Sequence, residues 1–148
     1  MPETIPSATT RTILVAQWND ATVATPTFLD VNSGNVLKHD LRQTNTGNDL
    51  ITIKIDTPGL EEIPIGNWLY GNRTSRVLLE IYTAVNRQRL YDLMAEVRRI
   101  MHARRHSETT YQRIQFKTFN ELVNENQNIW SGRVILEYVN NAVLMETV

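Results

Sequence analysis

Cysteine is absent from all 148 residues, which removes disulfides, thiolate metal ligands and a cysteine nucleophile together. A dominant charge is also lacking: 15 Lys and Arg stand against 16 Asp and Glu, so no global attraction draws the chain to nucleic acid. Long apolar runs are missing as well. Stretches such as Ile13 to Ala16 and Val77 to Leu79 fall far short of the roughly 20 residues a spanning helix needs. The polar start, Met1 to Thr10, lacks the basic flank and apolar core of a signal peptide, so the expectation is a protein made and kept in the cytoplasm. No Gly-Lys-Ser or Gly-Lys-Thr occurs, which removes a phosphate loop. There is no internal repeat and no low-complexity tract. The remaining composition, 41% hydrophobic and 21% charged, is that of an ordinary globular chain the size of one domain.

The strongest pattern lies between Arg76 and Val148. From Asn86 to His106 the apolar residues Leu90, Leu93, Met94, Val97, Ile100 and Met101 follow the i, i+3, i+4, i+7 spacing of one buried helical stripe. The other faces of this helix carry Arg87, Arg89, Arg98, Arg99, Arg104 and Arg105, with His102 and His106. A strand leads into it, because Val77, Leu79 and Ile81 alternate with Leu78, Glu80 and Tyr82. After it, Gln112 to Thr118 alternates Ile114 and Phe116 with Arg113, Gln115 and Lys117. Phe119 to Asn128 reads as a polar loop, and Arg133 to Val139 as a last strand with Val134, Leu136 and Tyr138 on one face. Asn140-Asn141 predicts a turn into a C-terminal arm.

The first half is less patterned. Residues 1–10 read as a flexible arm with Ser7, Thr9 and Thr10 as N-cap candidates for a short helix from Arg11 to Trp18, which would bury Ile13, Leu14 and Trp18. Residues 11–148 then make a single domain. Phe28 to Val31 and Asn35 to Leu41 are candidate strands, and Leu50 to Asp56 is a clearer one with Ile51, Ile53 and Ile55 on one side. Ile63 to Asn72 mixes Trp68, Leu69 and Tyr70 with Pro and Gly and reads as a loop; large, stiff aromatics there suit either a contact surface or a cover for the core edge.

Catalytic constellations are weak. A paired-acid nuclease needs a Lys two residues after its Glu, and beside Asp56 and Glu80 that place holds Tyr82. His102 and His106 are four residues apart, as two zinc ligands on one helical face would be, yet no Glu follows His102 and Arg104 and Arg105 would repel a cation. The helix dipole explains cationic groups in a last turn more simply, and Asp92 and Glu96 can pair with Arg99. The surplus of arginine still suits phosphate or an acidic protein surface, with Arg98, Arg99 and Arg105 as the basic-face candidates. No catalytic residue, metal or cofactor is implied.

Arg76 to Tyr82 leading into the helix Gln88 to His106, with Ile129-Trp130-Ser131 just before the strand Arg133 to Val139, resembles the tail terminator, or tail completion, proteins of long-tailed bacteriophages. The resemblance covers about half of the chain and departs from the family pattern between Asn19 and Ser75. It implies an α+β fold, a mixed or antiparallel sheet with a long amphipathic helix and a short N-terminal helix on one face. It also implies a structural virion protein of the tail and neck, not an enzyme, that closes into a six-membered ring on the tail tube protein, stops tail growth and meets the head connector. Interface candidates under that reading are Trp68, Leu69, Tyr70, Trp130, Val143 and Leu144. DNA in the ring lumen is a possible further contact, and a membrane is not. A head-tail connector and a non-specific nucleic-acid-binding module using the arginine-rich helix stand as alternatives.

Overall fold

Alternating buried aliphatic residues on two paired antiparallel strands set the architecture. Ile51 and Ile53 on β2 (Leu50–Ile55) and Val77, Leu79 and Ile81 on β4 (Tyr70–Thr83) are all fully buried, facing one layer of helices. The computed structural model describes residues 5–30, 49–55, 61–65, 70–107, 111–122 and 129–143. In chain order they form α1 (Pro6–Gln17), β1 (Thr27–Asp30), β2, β3 (Glu61–Ile65), β4, α2 (Arg87–Ala103), β5 (Arg113–Leu122) and β6 (Trp130–Val143). The expected strand Asn35 to Leu41 lies outside the described residues, as do Asp56, Trp68, Leu69 and Leu144.

The sheet is mixed, and the fold is α+β. Its order is β1-β2-β4-β6-β5, with β1 parallel to β2 and the other pairings antiparallel, while β3 pairs β4 beyond β2 on the same edge. The segment from Ile63 to Asn72 is therefore not one loop. Glu61 to Ile65 pairs Tyr70 to Thr74, and Pro64 is tolerated because β4 is the only described neighbour of β3. Two further loop expectations fail for the same reason, a long partner strand. β5 runs through Phe119 to Leu122 where a polar loop was expected, and β6 continues through Asn140 and Asn141, because β4 supplies hydrogen-bonding positions along its whole length.

The second helix is 17 residues long and ends at Ala103, shorter than the stretch reaching His106 that its periodicity suggests. Asn86 caps its start by accepting the Arg89 N–H at 2.7 Å. Leu90, Leu93, Met94, Val97, Ile100 and Met101 form the buried stripe, and each such side chain stabilises the fold by about 1.5 to 3 kcal/mol. Helix α1 starts five residues earlier than expected. Pro6 opens it without a side-chain cap, since its fixed φ and missing N–H suit a first turn. Ser7 and Thr10 are buried, so the residues from Pro6 onward belong to the domain and not to a flexible arm. As anticipated, Ile13 and Leu14 enter the core, and Trp18 packs against it edge-on to Phe28.

Both helices lie on one face of the sheet, α1 over β1, β2 and β4, and α2 over β4, β5 and β6. Gly132 fits this layer: a Cβ there would lie 2.4 Å from the Phe119 ring, which itself meets Tyr91 edge-on at 5.5 Å. The strands outrun the helices. Fourteen residues of β4 span about 46 Å against about 26 Å for α2. The loop after α2 returns to β5 where the Ile114 N–H meets the Arg105 carbonyl, so β3, β4 and β6 continue past that end as a three-stranded ribbon.

Candidate functional site

Helix α2 and strand β5 enclose a groove of about 710 Å³ whose walls are basic. Arg98, Arg99, His102 and Arg105 line it from the helix and the turn after it, and Arg113 from the strand, above Ile114 and Phe116. The three arginines singled out in the sequence thus meet at one place, but they are not equivalent. Arg99 is held by Glu96, its Nε 3.1 Å from each carboxylate oxygen, and also donates to the Gln17 carbonyl at 3.1 Å. Arg105 donates to the His102 carbonyl at 2.7 Å, which caps the negative end of the helix. Its remaining donors and those of the exposed Arg98 are open to the groove.

Two further helical arginines, Arg87 and Arg89, serve the fold. Arg87 forms a two-pronged contact with Glu121 at 2.8 and 2.9 Å, and Arg89 reaches the buried Asp49 at 2.8 Å. Asp49 also accepts from Thr83 at 2.6 Å, tying the starts of β2 and α2 to the end of β4. Of the two acids expected to pair with Arg99, only Glu96 does, because three residues bring it within one turn; Asp92 instead accepts from Gln88 at 3.0 Å. The Arg99 hydrogen bond, helped by the Asn19 N–H, holds the Glu96 carboxyl below its ordinary value against the opposing effect of burial.

A zinc pair is not formed. His102 is inside α2, while His106 follows the helix end and its ring lies 3.3 Å from the Gln112 carbonyl. No group of three potential metal ligands occurs among the described residues. Of the two nuclease acids only Glu80 is described, and it is engaged by Lys54 and Tyr82.

The opposite face of the sheet, away from the helices, carries a second set of cations that the sequence reading did not assemble. Glu137 on β6 lies 3.9 Å from Arg76, 3.7 Å from Arg113 and 3.9 Å from Lys117. Glu80 on β4 lies 2.8 Å from Lys54 and 3.7 Å from Arg133, and accepts the Tyr82 hydroxyl. Burial would raise the Glu80 carboxyl, but Lys54, Tyr82 and Arg133 outweigh it and leave the group below its ordinary value. Burial and that same carboxylate push the Tyr82 hydroxyl well above the ordinary tyrosine range. The signal available in the sequence was the polar half of each strand's alternation, which is basic at Lys54, Arg76, Arg113 and Arg133.

The interface candidates do not form one patch. Tyr70 and Val143 are cross-strand neighbours at the ribbon tip, whereas Trp130 pairs Thr83 at the other end of the same two strands, about 43 Å away. Trp130 is half-buried and packs against the core, which makes it part of the fold's own interior edge. No family model matches this chain, and no curated protein matches it either.

Proposed function

We propose that this chain is a structural virion protein, a tail terminator that closes into a six-membered ring on the tail tube and presents the surface that meets the head connector. It is made in the host cytoplasm and acts in the tail and neck of the particle. The reading rests on the sequence resemblance, and the α+β sheet with helices on one face is the fold that resemblance implies. The observation that carries it furthest is the ribbon of β3, β4 and β6, which continues past α2 and brings the contact candidates Tyr70 and Val143 side by side. A ribbon that leaves the helical layer offers backbone edges to a neighbouring subunit, and ring closure covers such edges.

Native mass spectrometry of the purified protein and of isolated tails tests the reading. Six copies per particle are expected, and loss of the gene should give tails of uncontrolled length that fail to join heads. A strict monomer within assembled particles, or tails of normal length that merely lack heads, would sink it; the second outcome is what a head-tail connector would produce.

A further inference from the structure

We infer that the chain binds the phosphate backbone of DNA, without reading sequence, along a cationic belt that wraps the outer edge of β5. Two surfaces described separately above meet at Arg113. This residue lines the groove beside Arg98 and Arg105, and it also lies 3.7 Å from Glu137 on the helix-free sheet face. From there the positive charge continues over Lys117 and Arg76 to Arg133 and Lys54. Five cations therefore surround two carboxylates, Glu80 and Glu137, and Arg98 and Arg105 extend the belt to seven, in a chain whose formal net charge is −1. Arg99 adds nothing to the surplus, because Glu96 neutralises it.

The chemistry of the belt favours a polyphosphate over an acidic protein. Five of its cations are arginines, whose planar forks match phosphate oxygens, and on the sheet face Lys54, Lys117, Arg76 and Arg133 keep side chains 38 to 45% exposed, with Arg113 at 49%. Protein interfaces are centred on desolvated aromatic or aliphatic anchors. The exposed large hydrophobics among the described residues, Ile5, Val15 and Val85, all lie elsewhere. Among the described side chains of this sheet face Tyr82 is the aromatic one, and its hydroxyl is tied to Glu80, so it offers no free ring for base stacking there. Pairing of a foreign strand along β5 is disfavoured too: the Arg105 carbonyl already takes the Ile114 N–H, and a register shift at Lys117 breaks the ladder. Binding along the belt does not require a ring.

Fluorescence anisotropy with a labelled 30-base-pair duplex at 50 and 200 mM salt is the test, run on the full chain with its subunit number measured in parallel. Wild-type protein should bind at 50 mM and lose affinity steeply by 200 mM. Arg98→Glu with Arg105→Glu, and separately Arg76→Gln with Arg133→Gln, should each weaken binding at least tenfold and reduce the log–log salt slope by about 2, at roughly 0.9 per phosphate contact. Circular dichroism melts verify that the variants are folded, and the single change Arg113→Gln supplies a milder variant that should show the same trend. Absence of duplex binding at 50 mM overturns the proposal. So does wild-type affinity in the Arg76 and Arg133 variant, or equal affinity for polyglutamate or for phosphatidylglycerol vesicles, which would identify an acidic protein or a membrane surface instead. DNA binding by a chain that native mass spectrometry finds only as a monomer within assembled particles would refute the ring reading and leave the belt intact.

Discussion

The Thr10 hydroxyl on α1 is hydrogen-bonded to the Tyr138 hydroxyl on β6, across 128 residues of sequence and inside the core. Thr10 donates to the Pro6 carbonyl at 2.7 Å, so its oxygen is left to accept from the tyrosine, whose ring meets Tyr111 edge-on at 4.7 Å. The first helix is thereby tied to the sheet through a polar contact that no solvent reaches. Burying both hydroxyls without each other would cost more than the bond returns, so the pair also fixes where α1 sits.

Tyr138→Phe should therefore lower stability by about 1 to 2 kcal/mol while leaving the fold intact, because one buried acceptor is left unmatched. Urea denaturation followed by circular dichroism would measure it. An unchanged midpoint would mean that Thr10 finds another partner and that the tie is dispensable.

Gly132→Ala should destabilise the sheet by about 1 to 3 kcal/mol, since the new methyl would meet the Phe119 ring and force it from its place against Tyr91. Combining it with Phe119→Leu should cost less than the sum of the two single changes, as expected for residues that compete for one space. Strict additivity in the double-mutant cycle would count against this packing.

On α2, Val97→Asp and Arg98→Glu are neighbours in sequence with opposite expected outcomes. Val97 is fully buried, so a carboxylate there has no partner and should leave the chain unfolded or aggregated. Arg98 is exposed at the groove, and its reversal should change stability by about 0.5 kcal/mol or less. A soluble, cooperatively melting Val97→Asp protein would place the helix on the wrong face.

Acid should act through Glu96. Its carboxyl is held below the ordinary value in the fold by Arg99, so on acidification the unfolded chain takes up the proton first. The stabilisation is complete above the unfolded value of about 4.3 and is lost as pH falls through the lower folded value. Glu96→Gln should accordingly flatten the decline in urea midpoint between pH 5 and pH 3, measured side by side with wild type. Parallel declines would show that the Glu96–Arg99 pair contributes nothing to the pH dependence.

Periodicity alone determined the stripe of α2, the buried isoleucines of β2 and the inward faces of β5 and β6, because each depends only on which residues repeat every 2 or 3.6 positions. Charge spacing likewise marked Arg98, Arg99 and Arg105 as a group. It did not separate the arginines that hold Asp49, Glu96 and Glu121 from those left to face the groove, since the acids that neutralise them come from other elements or from a neighbouring turn. Element ends were decided by the fold. Tyr70 to Thr74 and Asn140 to Val143 show no alternation, yet they become strand because each supplies the other's ladder. The belt is tertiary in the same sense: alternation tells that Lys54, Arg76, Arg113 and Arg133 leave the core face, while only strand order gathers them around Glu80 and Glu137. A period reports direction along one strand, and neighbourhood between strands is set by long-range pairing that no local pattern encodes.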